Sequence, residues 1–377
     1  MTHPMMTRDI RDFDWPLLIA ALVLCGLGIT GIYSAQPEGN FWLKQLIMVG
    51  VGLVVMFVLS QINFQRLFDV VPYFYAVTMI LLVLVLVIGT KINGQRCWIS
   101  LGPLGTLQPS EFAKLGTIMM VARILHPLQR RAVTLDFALK ACAAVVLPVG
   151  LIMLEPDTGT ALTFFPVLVA MLFVSGLNRR LIITALVLAL IVAPFGFKYV
   201  LEPRLKQYQR DRINVAINAM FAPEKLQGRE IREGFGYQTL QSMIAVGSGG
   251  VTGKGITKGT QSQGGFVPEK RTDFIASVLA EELGFAGSIF MLALLLFIII
   301  HSARTAERAR DRFGLLILTG FVTLLSFHAV INIGMVVGLV PIMGIPLPLL
   351  SYGGTSLLMT FMCLGIVANV YQQRFVN

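Results

Sequence analysis

The chain has 377 residues, of which 55% are hydrophobic and 13% charged, and its mean hydropathy is +0.76. That balance excludes a soluble globular protein and points to a chain folded largely within lipid. The formal net charge of +10 reflects the sidedness of the arginines and gives no argument for a nucleic-acid partner.

A transmembrane helix takes about 20 apolar residues. Ten stretches qualify, at approximately 15–35, 43–61, 72–90, 108–125, 137–154, 158–176, 180–200, 274–300, 313–340 and 352–371. Their runs are continuously apolar and do not alternate with period two, which excludes a β-barrel. Residues 1–14 are polar and the first span lacks a small-residue cleavage site, so it is expected to remain as a span rather than leave as a signal peptide. With the N-terminus inside, thirteen arginines from Arg8 to Arg374 fall on the cytoplasmic side, against Lys44, Lys91 and Arg96 outside. The expected fold is an all-α integral membrane protein of ten transmembrane helices with both termini cytoplasmic. Residues 1–377 would form a single polytopic membrane domain, with one large extracellular (periplasmic) loop, 202–273, between helices 7 and 8.

Taken along the chain, the polar residues that interrupt these spans are few. Cys97, alone of the four cysteines, is expected outside and exposed, since Cys25, Cys142 and Cys363 fall in spans; no disulfide framework is available. The fourth span opens LQPSEFAKL, with Pro109 suited to a first helical turn. Glu111 and Lys114 then share a face, and Lys114 lies about 9 Å below the outer helix end at ~1.5 Å per residue. Charges at that depth face a bundle interior or a cavity, which favours a functional role over a mere clamp between helices. Glu155 and Asp157 in LEPDTGT either make a turn and cap the sixth helix or add carboxylates to the same cavity.

The loop that follows is long enough to be functional. From Glu202 to Asp273 it carries eleven Lys and Arg against seven Asp and Glu, a cationic surface suited to a phosphate-bearing partner or simply a solvated lid. Within it GYQTLQSMIAVGSGG reads as a short amphipathic helix on the membrane surface, ended by glycines. GSGGVTGKG is not a nucleotide P-loop, because Ser248 and Gly255 occupy positions that need Gly and Ser/Thr. Its glycines suit a tight turn or close approach to a ligand. The loop ends PEKRTDFIASVLAEELG, where Asp273, crowded by Glu269, Lys270 and Arg271, meets the eighth span. Asp273 suits an N-cap. Ser277 and Glu281 continue its face at i+4 and i+8, which predicts a polar stripe lining a water-filled cavity, with Glu282 on another, structural face. Finally VPIMGIPLPLLSYGG, rich in Pro and Gly and free of charge, is expected to fold back as a cavity wall. The scattered His3, His126, His301 and His328 offer no metal site.

These motifs together (NGQRCWISLG, LQPSEFAK, EPDTGT, GYQTLQSMIAVGSGG, PEKRTDFIASVLAEELG and PLPLLSYGGTS, spread through nearly the whole chain) resemble the SEDS family of integral-membrane peptidoglycan glycosyltransferases. Within it, SMIAVGSGG, GTQSQ and LAEELG resemble the elongation branch rather than the division branch. The resemblance implies polymerisation of lipid II into β-1,4-linked glycan on the outer face of the bacterial cytoplasmic membrane, with inversion at the anomeric carbon and release of undecaprenyl diphosphate. It implies Asp273 as the essential acid, suited to general-base work. Substrate contacts are expected at Glu111, Lys114, Arg96, Trp98, Asp157, Arg210, Lys258, Glu269, Lys270, Arg271 and Glu281. The leaving diphosphate would meet these cations or a divalent ion, magnesium or manganese, held by the acids. Expected partners are lipid II, the nascent glycan and a class B penicillin-binding protein. Two positions depart from the family: Cys97 precedes Trp98 where Arg is common, and Arg271 replaces a His. A lipid II flippase and a non-catalytic scaffold for a transpeptidase are the competing readings. The clustering of polar residues at the outer end favours the polymerase over a path lining both leaflets.

Overall fold

A computed structural model describes residues 12–92, 95–100, 102, 105–128, 134–184, 187, 188 and 235–373. The described chain is predominantly helical. Helix α1, Trp15–Ala35, starts where Asp14 accepts the Leu17 amide at 3.4 Å and Pro16 occupies the first turn. Helix α2 is Phe41–Gln61 and α3 is Phe64–Ile88. The latter begins eight residues before the expected 72, capped by Asn63 and running straight through Pro72. Proline removes the donor for the carbonyl four residues back. That carbonyl, on Phe68, instead receives the Arg123 guanidinium, which also stacks 4.3 Å over the Phe68 ring. The proline is tolerated because a neighbouring helix supplies the missing bond.

Between α3 and α4 lies an element that apolar run length did not signal. Strands β1 (Thr90–Ile92), β2 (Gln95–Ser100) and β3 (Thr106–Leu107) form an antiparallel sheet in the order β1-β2-β3. It buries Cys97 completely, correcting the expectation of an exposed thiol; the Sγ approaches the Glu155 carbonyl at 3.5 Å.

Helix α4, Pro109–Leu125, touches α3, α5 (Leu135–Leu154) and α6 (Thr158–Val174). It also meets α9 (Arg312–Val336) and α10 (Gly354–Gln372). It is buried on nearly every face, so it is the central post of the bundle. The last helix lies along α2, α9 packs on α6, and α1 packs on α8, Ile275–Glu307. The amphipathic segment forms helix α7, Phe235–Ser248, seated on α8 and α9.

Among the described residues seven helices are long and apolar enough to cross a membrane, which makes this a multi-pass all-α membrane protein. Helices α4 and α6 span 17 residues each, short of about 20. Of the expected 180–200 span only the helical start through 184, with 187 and 188, is described.

Helix α8 is broken at Gly284, whose φ of 68° and ψ of −165° are not helical. The glycine-rich strap 249–259 lies against this break. Lys254 and Gly255 amides donate to the carbonyls of Glu281 and Glu282 at 3.1 and 2.9 Å, while Phe285 and Ala286 amides return to Gly250 and Val251 at 2.9 and 3.0 Å. A Cβ on Gly253 would stand 2.1 Å from the Glu282 carbonyl oxygen, and one on Gly284 2.2 Å from the Gly253 nitrogen. The glycines therefore serve a close backbone-to-backbone approach rather than a phosphate.

Candidate active site

Asp273 stands just before α8, half-buried. The helix N-cap is Phe274, so Asp273 stands one residue before the cap position that its type suggests. Instead the turn 269–274 closes on itself: the amides of Thr272 and Phe274 donate to the Glu269 carbonyl at 3.1 and 3.3 Å, and Glu269 takes a left-handed φ of 44°. It is held by α9 and by the α9–α10 connection. Asn332 Nδ2 donates to the carbonyls of both Asp273 (2.9 Å) and Ile345 (2.8 Å). Ser351 Oγ donates to the Thr272 carbonyl at 2.7 Å, and the Tyr352 amide to the Arg271 carbonyl at 2.9 Å. Gln45, buried on α2, ties this connection down by donating to the Ser351 carbonyl at 3.1 Å and accepting the Gly353 amide at 3.4 Å. The Pro- and Gly-rich segment thus forms a wall beside the acid; a Cβ on Gly344 would lie 3.8 Å from Asp273 Oδ2.

The cations of the turn are partly engaged. Arg271 stacks 4.1 Å over Phe41, which meets Tyr352 edge-on at 5.3 Å between ring centroids. Lys270 donates to the Ser262 carbonyl at 2.6 Å; burial and then Arg271 depress its pKa, with Glu282 opposing. Glu269 is exposed and accepts from Thr272 Oγ1 at 3.3 Å. Lys258 is exposed on the strap, and Arg210 lies outside the described residues. On β2, Arg96 is exposed and Trp98 half-buried.

Deeper in the bundle, Lys114 Nζ meets Glu111 Oε1 at 2.9 Å, both buried. Asp157 accepts the Thr160 amide at 3.0 Å, confirming the capping reading, and Gln108 Nε2 at 3.3 Å. Burial raises the pKa of Asp157, while Thr160 and Lys114 pull it down. Its neighbour Glu155 is fully buried; burial, then Asp157, lifts its pKa to about 8, with the Cys97 thiol opposing.

The expected stripe down α8 is not a cavity wall. Ser277 is buried and bonds back to the Phe274 carbonyl at 2.7 Å. Glu281 is fully buried and enclosed by the loop, accepting Lys254 Nζ at 2.7 Å and the amides of Gln261 and Ser262 at 2.8 and 2.9 Å. A buried carboxylate needs such partners, and here they make Glu281 a tether for the strap. Glu282, accepting from Ser34 and from the Thr257 amide, is structural as expected. The polar descent runs on α9 instead. His328 lies one turn from Asn332 and is buried. Two polar residues at i and i+4 inside an apolar span were a readable signal for this face.

Beneath Lys114 a narrow crevice of about 10 Å³, room for roughly one water, lies between α4, α5, α6 and α9, lined by apolar side chains including Ile118, Val145, Phe164, Val167 and Leu324. Among the described residues no group of three or more His, Cys, Asp or Glu could hold a metal ion.

Fold and site define a polytopic membrane protein with an acid-bearing turn clamped at one end and a buried Glu–Lys pair below. A family model described as "cell cycle protein" (FtsW, RodA, SpoVE) matches residues 16–375. The chain is 36% identical to the peptidoglycan glycosyltransferase MrdB of Escherichia coli K12, covering 97% of this chain and 95% of that one. It is 31% identical to the peptidoglycan glycosyltransferase RodA of Treponema pallidum, covering 97% and 99%. In structure it is similar to a chain from a peptidoglycan synthase complex that coordinates polymerization and crosslinking (TM-score 0.80, 32% identity, 97% and 99% coverage). It is also similar to the rod shape determining protein RodA of Thermus thermophilus (TM-score 0.69, 29% identity, 97% and 98% coverage). The chain belongs to the FtsW/RodA/SpoVE family, the SEDS family that its motifs resemble.

Proposed function

We infer that the chain is a peptidoglycan glycosyltransferase, a polymerase of cell elongation. Its near-full-length likeness to RodA and MrdB glycosyltransferases carries that reading. The substrate is lipid II, presented on the outer face of the cytoplasmic membrane. The ten-helix topology with cytoplasmic termini, and 202–273 as the outer loop bearing the rim of the site, belong to this proposal and are supported by the arginine distribution.

Asp273 is the general base. It takes the proton of the acceptor GlcNAc 4-hydroxyl as that oxygen attacks C1 of the donor MurNAc. The C1–O bond to the diphosphate breaks, undecaprenyl diphosphate leaves with the electron pair, and the α-linked donor becomes β-1,4-linked. Attack opposite the leaving group gives inversion. The leaving diphosphate is met by charge-assisted hydrogen bonds from cations drawn from Arg96, Lys114, Arg210, Lys258, Lys270 and Arg271. Trp98, Glu111, Asp157 and Glu269 complete the proposed substrate contacts; Glu281, enclosed by the strap, shapes the site from behind. A class B penicillin-binding protein is the proposed partner, supported by the likeness to a complex that couples polymerization with crosslinking.

Purified protein supplied with labelled lipid II, with its transpeptidase partner present, should yield glycan chains. Lipid II crossing vesicle bilayers with no glycan formed would establish the flippase reading instead. Neither activity would leave the scaffold.

A further inference from the structure

Asp273 precedes the first helical residue of α8, so helix hydrogen bonding does not fix its backbone. Three successive carbonyls of its turn are nonetheless each held from outside the helix. Arg271 O receives the Tyr352 amide, Thr272 O the Ser351 hydroxyl, and Asp273 O the Asn332 amide, at 2.9, 2.7 and 2.9 Å. Pinning three consecutive peptide planes sets φ and ψ across the turn, and with them the direction in which the Asp273 side chain leaves the backbone. Two of the three donors are side chains shielded from solvent, Asn332 at 0% exposure and Ser351 at 5%. Each also engages the wall: Asn332 donates to Ile345 O, and Ser351 Oγ accepts the Leu347 amide at 2.8 Å. Asn332 can work only one way round, because turning its amide would set Oδ1 against two carbonyl oxygens.

We propose that Asn332 and Ser351 are positioning residues for the catalytic acid, locking the turn and the wall into one unit so that Asp273 is held at attack distance from the acceptor hydroxyl. The inference rests on the reading of Asp273 as general base. A displacement of about 1 Å in such a group costs on the order of a hundredfold in rate, so the side chains that fix its backbone act on kcat without touching substrate.

The test compares wild type with Asn332→Ala, Asn332→Asp, Ser351→Ala and Ser351→Thr, each in complex with the transpeptidase partner. Polymerisation of labelled lipid II gives kcat and KM, and hydrogen exchange follows the amides of residues 272–276. Both alanine variants should lose roughly ten- to a hundredfold in kcat with KM unchanged, and exchange in 272–276 should accelerate while the other helices stay protected. Asn332→Asp, which keeps the shape but replaces the donor, should be at least as slow as Asn332→Ala. Ser351→Thr, which keeps the hydroxyl, should recover most of the rate and the protection. Unchanged exchange, unchanged kcat, or a loss spread over KM, the melting temperature and all helices would each overturn the proposal. Should wild type make no glycan, the polymerase reading falls, and the exchange measurement still decides whether these two side chains hold the turn.

Discussion

Glu155 has an ionisation that its surroundings oppose. It is fully buried, and burial with Asp157 nearby lifts its pKa to about 8 from the ordinary 4.5, against the pull of the Cys97 thiol. A raised carboxyl pKa means that the folded state holds the proton more tightly than the unfolded chain does. Stability is then fully present below about 4.5 and declines as pH rises through the folded value near 8. Glu155→Gln should flatten that decline, leaving the melting temperature unchanged at pH 5 and raised at pH 9. A melting curve that kept its slope across this window would show that Glu155 is not the group responsible. The Glu111–Lys114 pair makes a sharper demand. Removing one partner of a buried pair costs about 3–5 kcal/mol because the other charge stays behind, whereas replacing both is often neutral. Lys114→Met should therefore destabilise the bundle far more than Glu111→Gln combined with Lys114→Met. If the single and double variants melted alike, Glu111 would have another compensating partner.

At the scale of elements, the strap and the broken helix are one device. Residues 249–259 exchange backbone hydrogen bonds with α8 on both sides of Gly284, and Glu281 gathers Lys254 and two loop amides from within the helix. This joins the strap to the bundle beside the turn that carries Asp273. Gly253 and Gly284 have positive φ and no room for a Cβ, at 2.1 and 2.2 Å from facing backbone atoms. Gly253→Ala and Gly284→Ala should each push strap and helix apart, lowering the melting temperature and opening 249–263 to limited proteolysis. A strap equally resistant in the variants would mean that these contacts do not hold it.

At the scale of the molecule, the bundle was legible because apolar runs of helical length dominate the chain, and the start of α1 coincides with its expected boundary. The start of α3 was not, because Pro72 looks like a boundary until Arg123, 51 positions away, is seen supplying the bond that proline forfeits. The small sheet of 90–107 was too short and mixed to register beside membrane spans. Asp273, Arg271 and the Glu111–Lys114 pair stood out as charges at the wrong depth for a connector. The stripe inferred below Asp273 was wrong for a physical reason: i, i+4, i+8 spacing fixes a helix face but not what covers it, and the strap covers Glu281. The face that does descend from the acid, Asn332 to His328, is on a helix distant in sequence and reaches Asp273 through a backbone carbonyl that no side-chain pattern reveals.

The central claim is that Asp273 performs the chemistry and is not needed for the fold. It is tested most directly by Asp273→Asn in the purified complex, with lipid II polymerisation and lipid II binding measured on the same sample. The account predicts glycan synthesis reduced to near background, with binding, melting temperature and partner association as in wild type. Polymerisation at an undiminished rate would contradict it, as would a variant that fails to assemble.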